Sequence, residues 1–282
     1  MKISLFTLII LGGLLCQAQV KEVQLQDRLP IAPDRPITVV IDNVFGAIEV
    51  TASSAPTVSY EVLKTINADH ETALEKGLSE VNMKVVQRND SIIFYLTAPF
   101  ICDHWSGCYQ RGRWMDGPED YSFTFDYQLQ IPASANLKVQ TVDQGKVTIT
   151  GITGMVSAGN VNGDVEIKGA HSVTRATTVN GDVEVTFQKR PNLDGRFSTI
   201  NGTINLYCTS DLSASVTAKT MHGSLYSAFD FETKKPELKK VVSKKGTSTT
   251  YQLNETFGIE IGKDGPTLSF ETLNGDIYLR KL

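Results

Sequence analysis

The chain has 282 residues and a formal net charge of −4, from 31 acidic and 27 basic side chains. This mildly acidic balance argues against nucleic acid as a partner. Beyond the N-terminal segment, no apolar run is long enough to span a membrane as a helix. The length is compatible with one elongated domain that grows by repetition.

Residues 1–18 have the layout of a secretory signal peptide. One lysine precedes an apolar run over residues 3–15, and small or polar residues follow up to Ala18. We predict cleavage after Ala18, which leaves an exported domain, residues 19–282, in the periplasm, at the outer membrane or outside the cell. Lipid attachment at Cys16 is the alternative, and it would anchor the protein to a membrane. The residue before it is bulky where lipid-attachment signals carry a small one, which favours simple cleavage.

Residues 37–126 are less regular than the rest of the domain, but most of them are predicted to form strands. Residues 36–50 and 121–131 alternate apolar and polar side chains, as half-buried strands do. Residues 68–79 are the one predicted helix, and residues 81–96 have the pattern of a hairpin. The sequence therefore predicts an all-β protein with one short helix and with inserted hairpins and loops.

An insertion at residues 99–120 concentrates side chains that binding sites favour. It contains both tryptophans of the chain and two close arginines. Aromatic and Arg side chains dominate binding hot spots, and loops on a rigid scaffold commonly carry them. The alternative is a surface loop whose rings pack on one another. The candidate binding residues are Trp105, Tyr109, Arg111, Arg113 and Trp114.

The cysteines predict one disulfide and one buried thiol. Cys102 and Cys108 lie close together in the insertion, and export exposes them to oxidation, so we predict that they are bonded. His104 lies between them, but the spacing matches no standard zinc pattern and a fourth ligand is not evident. We therefore expect neither a metal nor a cofactor. Cys208 follows the apolar Leu206 at a strand end and is predicted to be a buried free thiol.

The repeat core, residues 127–282, contains several copies of one short sequence motif, typified by Val-Asn-Gly-Asp-Val. Between Gly145 and Gly223 the central glycines recur every 18 or 21 residues. Apolar residues stand two before, two after and four after each glycine, and this short period leaves no room for a helix. The corner residues that we interpret as structural are Asn162, Gly163, Asp164, Asn180, Gly181, Asp182, Asn201, Gly202, Asn274, Gly275 and Asp276.

Two architectures are compatible with this repeated motif, and one of them fits it better than the other. Asn-Gly is the strongest short signal for a two-residue hairpin turn, but that turn would place Val161, Asp164 and Glu166 on one face. At a corner between two strands of a coil, the apolar residues before and after the glycine can all point inward. We therefore predict a parallel β-solenoid whose successive coils stack about 4.8 Å apart. A meander of hairpins is the structural alternative.

Two charged features have both a structural and a functional interpretation. Asp164 and Asp182 would lie on neighbouring coils and could bind Ca²⁺ or act as an acid pair. Corner aspartates more often accept hydrogen bonds from nearby backbone N–H groups, and we favour that interpretation. Six lysines within residues 231–250 predict a solvated hairpin or loop. Contact with an anionic polymer or a lipid headgroup is the alternative for this segment.

The run Tyr-Gln-Leu-Gln-Ile-Pro-Ala-Ser-Ala-Asn-Leu-Lys-Val-Gln-Thr at residues 127–141, followed by the Asn-Gly-Asp-Val repeats, resembles the bacterial putative-adhesin family of β-strand repeats. The resemblance covers residues 37–282 and is strongest over 127–206. It implies an exported, right-handed β-helix-like protein of the cell envelope, and it supplies no catalytic residues. The insertion at 99–120 and the lysine-rich segment depart from the family pattern.

These patterns predict a non-enzymatic, adhesin-like envelope or surface protein that binds a protein or glycan partner through loops on the solenoid. One alternative is a periplasmic scaffold or envelope-stress component without an external ligand. Another is a carbohydrate-active β-helix enzyme, a polysaccharide lyase or hydrolase. Such an enzyme needs several acidic, basic or His residues converging on one face. Here Thr203 and Ser224 replace the aspartate of the motif in later copies, which disfavours a carbohydrate-active enzyme.

Overall fold

The computed structural model describes residues 19–31, 36–101, 118–234, 238–241, 250–253 and 257–282. These residues form one helix, α1 (Glu71–Glu80), and 23 strands. The predicted signal peptide, residues 1–18, lies outside them. In chain order the strands are β1 (Gln19–Pro30), β2 (Thr38–Asp42), β3 (Ile48–Ser53), β4 (Thr57–Ala68), β5 (Asn82–Gln87), β6 (Ser91–Thr97), β7 (Tyr121–Pro132), β8 (Asn136–Gln140), β9 (Val147–Thr150), β10 (Met155–Gly159), β11 (Val165–Ala170), β12 (Ser172–Thr177), β13 (Val183–Phe187), β14 (Gly195–Ser198), β15 (Ile204–Cys208), β16 (Ala214–Lys219), β17 (Leu225–Ser227), β18 (Glu232–Thr233), β19 (Leu238–Val241), β20 (Thr250–Leu253), β21 (Phe257–Ile261), β22 (Thr267–Glu271) and β23 (Ile277–Lys281).

Almost all of these strands belong to two large sheets, which are mostly parallel. The first sheet has ten strands in the order β1-β4-β7-β3-β9-β11-β13-β15-β23-β17. The second has eleven strands in the order β18-β21-β16-β22-β14-β12-β10-β8-β2-β6-β5. Strands β19 and β20 form a separate antiparallel pair. For the described residues, the prediction of an all-β protein with one short helix is confirmed.

Through the repeats the chain alternates between the two sheets. We call a strand of the second sheet, together with the strand of the first sheet that comes after it, a rung; β10 and β11 are an example. Equivalent strands of neighbouring rungs pair in parallel, so that Val165 pairs with Val147 on one side and with Val183 on the other. A meander of hairpins would require antiparallel pairs at these positions. That alternative is therefore wrong.

The rungs do not stack in the order in which they occur along the chain. Both sheets place the C-terminal rung, β22 and β23, between the rung of β14 and β15 and the rung of β16 and β17. Accordingly, Ile277 pairs with Ile204 on one side and with Leu225 on the other. The expectation that successive copies are always neighbours is wrong at this end of the sheets.

The residues two and four positions after the central glycine fill the core, as the repeat predicts, except after Gly223, where Leu225 and Ser227 are only partly buried. Val165, Ile167, Val183 and Val185 are all 0% exposed. They belong to one hydrophobic cluster that combines side chains of both sheets. Full burial of a side chain of this size contributes about 1.5–3 kcal/mol relative to exposure.

The residue two positions before the glycine is predicted to lie in the core, and this prediction is wrong for three copies. Ile200, Leu273 and Met221 are 43%, 38% and 61% exposed. The buried side chain is one residue earlier: Thr199 donates from Oγ1 to the carbonyl oxygen of Gly181, 2.8 Å away in the neighbouring rung. A threonine is tolerated here because that carbonyl satisfies its hydroxyl group.

Hydrogen bonds at equivalent positions link neighbouring rungs along the stack, each from a side-chain donor. Each donor precedes a corner, and each acceptor is a backbone carbonyl oxygen in the adjacent rung. Such repeated bonds hold the corners in register. The further pairs are Asn43 with Phe125, Thr141 with Gly46, Asn160 with Gly145, Thr178 with Gly163, Thr272 with Gly202 and Thr220 with Gly275.

At the N-terminal end the parallel stack gives way to antiparallel strands and α1. Strand β4 pairs antiparallel with both β1 and β7, and α1 packs against β4 and β7. The buried Lys64 of β4 donates from Nζ to the carbonyl oxygens of Leu78 and Val81, at 2.7 and 2.6 Å. Burial lowers the pKa of Lys64. Its ammonium group nevertheless satisfies carbonyls at the C-terminal end of α1, where the helix dipole favours a cation.

Candidate functional site

The predicted binding residues of the insertion lie outside the described residues. These are Trp105, Tyr109, Arg111, Arg113 and Trp114, and the same holds for Cys102, His104 and Cys108. The structure does describe where the insertion leaves and rejoins the fold. It leaves after β6 and returns into β7, which are the two strands of one rung. Along the chain, the insertion therefore corresponds to the short corner that joins β2 and β3 in the neighbouring rung.

The start of the insertion is anchored in the core. The ring of Phe100 is buried and lies 5.9 Å from the ring of Phe123 and 6.4 Å from that of Tyr121, measured between centroids. A backbone bridge between Ala98 and Ile101 tightens the chain at this point. This anchor fixes the place on the surface from which the insertion starts.

A groove of about 730 Å³ adjoins this anchor on the outer face of the second sheet. Residues of β2, β6, β8, β10 and β12 line it together with Phe100 and Ile101. The groove contains Gly159, where a Cβ atom would have only ordinary contacts, 3.6 Å from Thr177 Oγ1 and 4.0 Å from Gln140 Cβ. A glycine at this outward strand position therefore leaves space that a larger residue would fill.

The groove presents polar groups and charges of both signs, including the carboxylate of Asp42. Gln140 donates from Nε2 to Asp42 Oδ1 at 2.7 Å, and Arg175 donates from Nε to Thr177 Oγ1 at 3.3 Å. Lys138 is exposed, and neither it nor Arg175 belongs to an ion pair among the described residues. These groups can donate hydrogen bonds to an acceptor or an anionic group of a partner.

No residue of this groove stands out in the amino-acid sequence as a binding residue. Lys138, Arg175 and Gly159 belong to three different rungs and become neighbours only by pairing across β8, β10 and β12. The one available signal was Gly159 itself, since a glycine inside a strand commonly marks a close approach or a gap.

The corner asparagines form a ladder of side-chain amides. Asn180 donates from Nδ2 to Asn162 Oδ1 at 2.8 Å, Asn201 to Asn180 at 2.7 Å, and Asn274 to Asn201 at 2.8 Å. The last of these bonds joins residues 73 positions apart in the chain, because the C-terminal rung is inserted here. The amides are thus engaged with one another along the stack.

The corner aspartates bind backbone N–H groups of the next rung. Asp164 Oδ1 accepts from Asp182 N at 2.8 Å, Asp182 Oδ1 accepts from Thr203 N at 2.7 Å, and Asp276 Oδ1 accepts from Ser224 N at 2.8 Å. This geometry favours the structural interpretation over a Ca²⁺ site or an acid pair. Among the described residues, no group of three or more His, Cys, Asp or Glu side chains is placed to hold a metal ion.

Cys208 is buried and carries a free thiol, as predicted. Burial raises its pKa to about 12. The reactive thiolate is therefore scarce at pH 8, and it becomes more abundant as the pH rises towards that value.

We expect Cys208 to react with a thiol reagent at least about 1,000-fold more slowly in the folded protein than in guanidinium chloride at pH 8. The measurement uses residues 19–282 with Cys102→Ser and Cys108→Ser, so that Cys208 is the one cysteine left. A folded protein that reacts at the denatured rate would contradict the burial of this side chain.

No protein-family model matches the chain, and no curated protein matches it. Among solved structures it is similar to a putative cell adhesion protein from Clostridium sporogenes, with 8% identity and a TM-score of 0.43 over 93% of this chain and 100% of that one. A putative adhesin from Bacteroides fragilis has 10% identity and a TM-score of 0.39 over 92% and 97%. A putative lipid binding protein from Parabacteroides distasonis has 8% identity and a TM-score of 0.24 over 94% and 96%. A likeness at these TM-scores and identities does not indicate the function of this chain.

Within the part of the chain that the structure describes, no helix is long and apolar enough to cross a membrane. The longest helical segment there is α1, with ten residues.

Proposed function

We propose that this chain is an exported, non-enzymatic, adhesin-like protein of the cell envelope or surface. It binds a protein or glycan partner through the insertion at residues 99–120 and the groove beside it. The observation that carries the proposal is the position of that groove, which lies against the anchored start of the insertion and holds the cations Lys138 and Arg175. An aromatic loop next to a polar groove offers both hot-spot rings and hydrogen-bond donors.

The proposed scaffold for this site is a right-handed parallel β-solenoid. In support, the chain passes repeatedly from the second sheet to the first, and equivalent strands of successive rungs pair in parallel. One hydrophobic cluster joins the side chains of both sheets. A rung cannot enclose its own apolar face, so stacking is what makes each rung stable.

The two alternatives predict different behaviour. A carbohydrate-active enzyme would need a pair of carboxyl groups directed at one substrate bond, whereas Asp164, Asp182 and Asp276 each use Oδ1 to hold a backbone N–H group of the next rung. A periplasmic scaffold would carry the same corners and differ from an adhesin in its location. Location is therefore the first property to measure.

Protease shaving of intact cells tests the surface location. An antibody against residues 19–282 follows the protein, and a known periplasmic protein serves as the control for intact envelopes. Loss of the signal while the control survives is the expected result. Full protection of both would contradict the adhesin function and favour the periplasmic scaffold.

Substitutions at the insertion and in the groove test the binding site. The purified protein is first screened on arrays of glycans and of extracellular-matrix proteins. For the strongest hit, Trp105→Ala with Trp114→Ala is expected to weaken binding at least about tenfold, as truncated hot-spot aromatics do. Gly159→Leu, which fills the groove, is expected to have a similar effect, whereas Gly159→Ala should have little. Unchanged affinity in both variants, with unchanged melting temperatures, would remove this region from consideration.

A further inference from the structure

The outer face of the first sheet carries a tyrosine cluster at the end formed by β15, β23 and β17. Tyr226 and Tyr278 belong to paired positions on β17 and β23. Their rings stack with centroids 4.8 Å apart and planes inclined by 11°. Tyr226 is 49% exposed, and β17 is the last strand of this sheet. The cluster therefore presents aromatic surface to solvent instead of to the core.

Arg280 completes this surface, which we call the tyrosine–arginine face: Tyr207, Tyr226, Tyr278 and Arg280. The guanidinium carbon of Arg280 lies 4.4 Å from the ring centroid of Tyr278 and 5.9 Å from that of Tyr207. Its Nε donates to Asn205 Oδ1 at 3.1 Å. The stacked ring and this bond hold the guanidinium plane in one orientation.

The charge of Arg280 is available to a ligand. Its side chain is exposed, and none of the ion pairs among the described residues includes it. The bond to Asn205 uses Nε and leaves both terminal amino groups for a planar anion. A fixed guanidinium fork matches a carboxylate bidentately, which a hydrated lysine ammonium does not.

The face is confined to one end of the sheet. The position of Tyr278 is occupied by Asn205, Glu184 and Glu166 in successive rungs. The position of Tyr207 is occupied by Thr186 in the rung of β13 and by Arg280 in the rung of β23. At these positions the rungs of β11 and β13 therefore carry polar and charged side chains, and the rings belong to the rungs of β15, β23 and β17.

We propose that the tyrosine–arginine face binds an acidic oligosaccharide, a chain of sugar rings that carries carboxylate groups. Sugar rings present C–H groups to the electron-rich face of an aromatic ring and hydroxyl groups to polar neighbours. The guanidinium group of Arg280 binds a sugar carboxylate. The rings of Tyr226 and Tyr278 face each other, and Arg280 also lies over Tyr278. The ring face left for a sugar is therefore that of Tyr226 turned away from Tyr278, at the open edge of β17.

This site is separate from the groove and the insertion, and it does not depend on them. The groove lies on the second sheet, whereas all four residues of the tyrosine–arginine face belong to the first sheet. Oligosaccharide binding by the purified protein can therefore fail while the proposed surface location holds, and the reverse is equally possible.

Isothermal titration calorimetry with residues 19–282 tests the proposal. The probes are tetragalacturonate, tetramannuronate, a hyaluronan tetrasaccharide and 3′-sialyllactose, with neutral cellotetraose as the control sugar. We expect at least one acidic probe to bind with a Kd below about 1 mM. Cellotetraose is expected to bind at least tenfold more weakly than that probe.

Single substitutions then locate the site. Arg280→Gln and Tyr226→Ala are each expected to raise the Kd at least tenfold with little change in melting temperature, because both side chains are on the surface. Arg196→Gln is the matched control, since Arg196 is an exposed arginine on the second sheet that pairs with Glu271. It should leave the Kd unchanged.

Four results would overturn the proposal. The first is that the folded protein binds none of the acidic probes. The second is equal binding of cellotetraose, and the third is an equal effect of Arg196→Gln and Arg280→Gln. The fourth is that Tyr226→Ala dissociates an oligomer in analytical ultracentrifugation and leaves sugar binding intact. In that case the face is a contact between copies of this chain.

Discussion

Val183→Asp is expected to leave the chain unfolded. Val183 is 0% exposed in β13, and its neighbours in the sheet are Val165 and Ile204, which are equally buried. An aspartate here would place a carboxylate among apolar side chains with no cation to pair it, at a cost of several kcal/mol. That is a large part of the roughly 5–15 kcal/mol that holds a typical domain together. Circular dichroism and thermal melting of residues 19–282 measure the outcome.

The matched control is the neighbouring residue on the same strand. Glu184 points to the outer face, and Glu184→Gln changes a side chain of similar size with little effect on the core. We expect it to shift the melting temperature by a few degrees at most. A Val183→Asp protein that melts cooperatively near the wild-type temperature would mean that residue 183 does not face the core.

Gly275→Ala is expected to destabilise the C-terminal rung. A Cβ atom at Gly275 would lie 1.9 Å from the carbonyl oxygen of Gly202 in the neighbouring rung, far closer than two such atoms can approach. The obstacle is backbone on both sides, so relief requires the rungs to move apart and breaks the pairing of β23 with β15. We expect a loss of about 2–4 kcal/mol and a melting temperature lower by at least about 5 °C.

The same substitution at Gly159 is the control for Gly275→Ala. A Cβ atom there meets nothing closer than 3.6 Å, and the residue lies in a regular strand. Gly159→Ala is therefore expected to be neutral or slightly stabilising, because alanine restricts the unfolded chain more than glycine does. Equal melting temperatures for the two variants would contradict the close stacking of the corner glycines.

The repeat shows where local pattern predicts side-chain direction and where it fails. Val183 and Val185 alternate with polar residues, so their inward direction can be deduced from the two-residue period of a strand. The direction of the residues before the glycine cannot be deduced in this way, because the corner interrupts the two-residue period of the strand. Thr199 is buried and Ile200 is exposed. The structure reverses the usual preference because a carbonyl of the next rung satisfies the threonine hydroxyl.

The candidate site was accessible to sequence reasoning only in part. Trp105 and Trp114 are conspicuous by composition, and the insertion that holds them is recognisable as an interruption between two strands. Lys138 and Arg175 are unremarkable by composition, and they become neighbours because β8 and β12 flank β10. Likewise, Tyr226 lies 52 positions before Tyr278 in the chain and stacks on it through strand pairing.

The amino-acid sequence alone was sufficient for the all-β class, the helix α1, most of the buried apolar positions after the glycines and the corners between strands. All of these depend on local periods and on turn residues, which act within a few positions of one another. The tertiary structure was needed for the order of the rungs, the groove and the tyrosine–arginine face. The physical reason is that the strands containing the repeated motif are nearly interchangeable as pairing partners. Local pattern cannot select between them, so the choice of Ile204 and Leu225 as neighbours of Ile277 depends on how the whole stack packs.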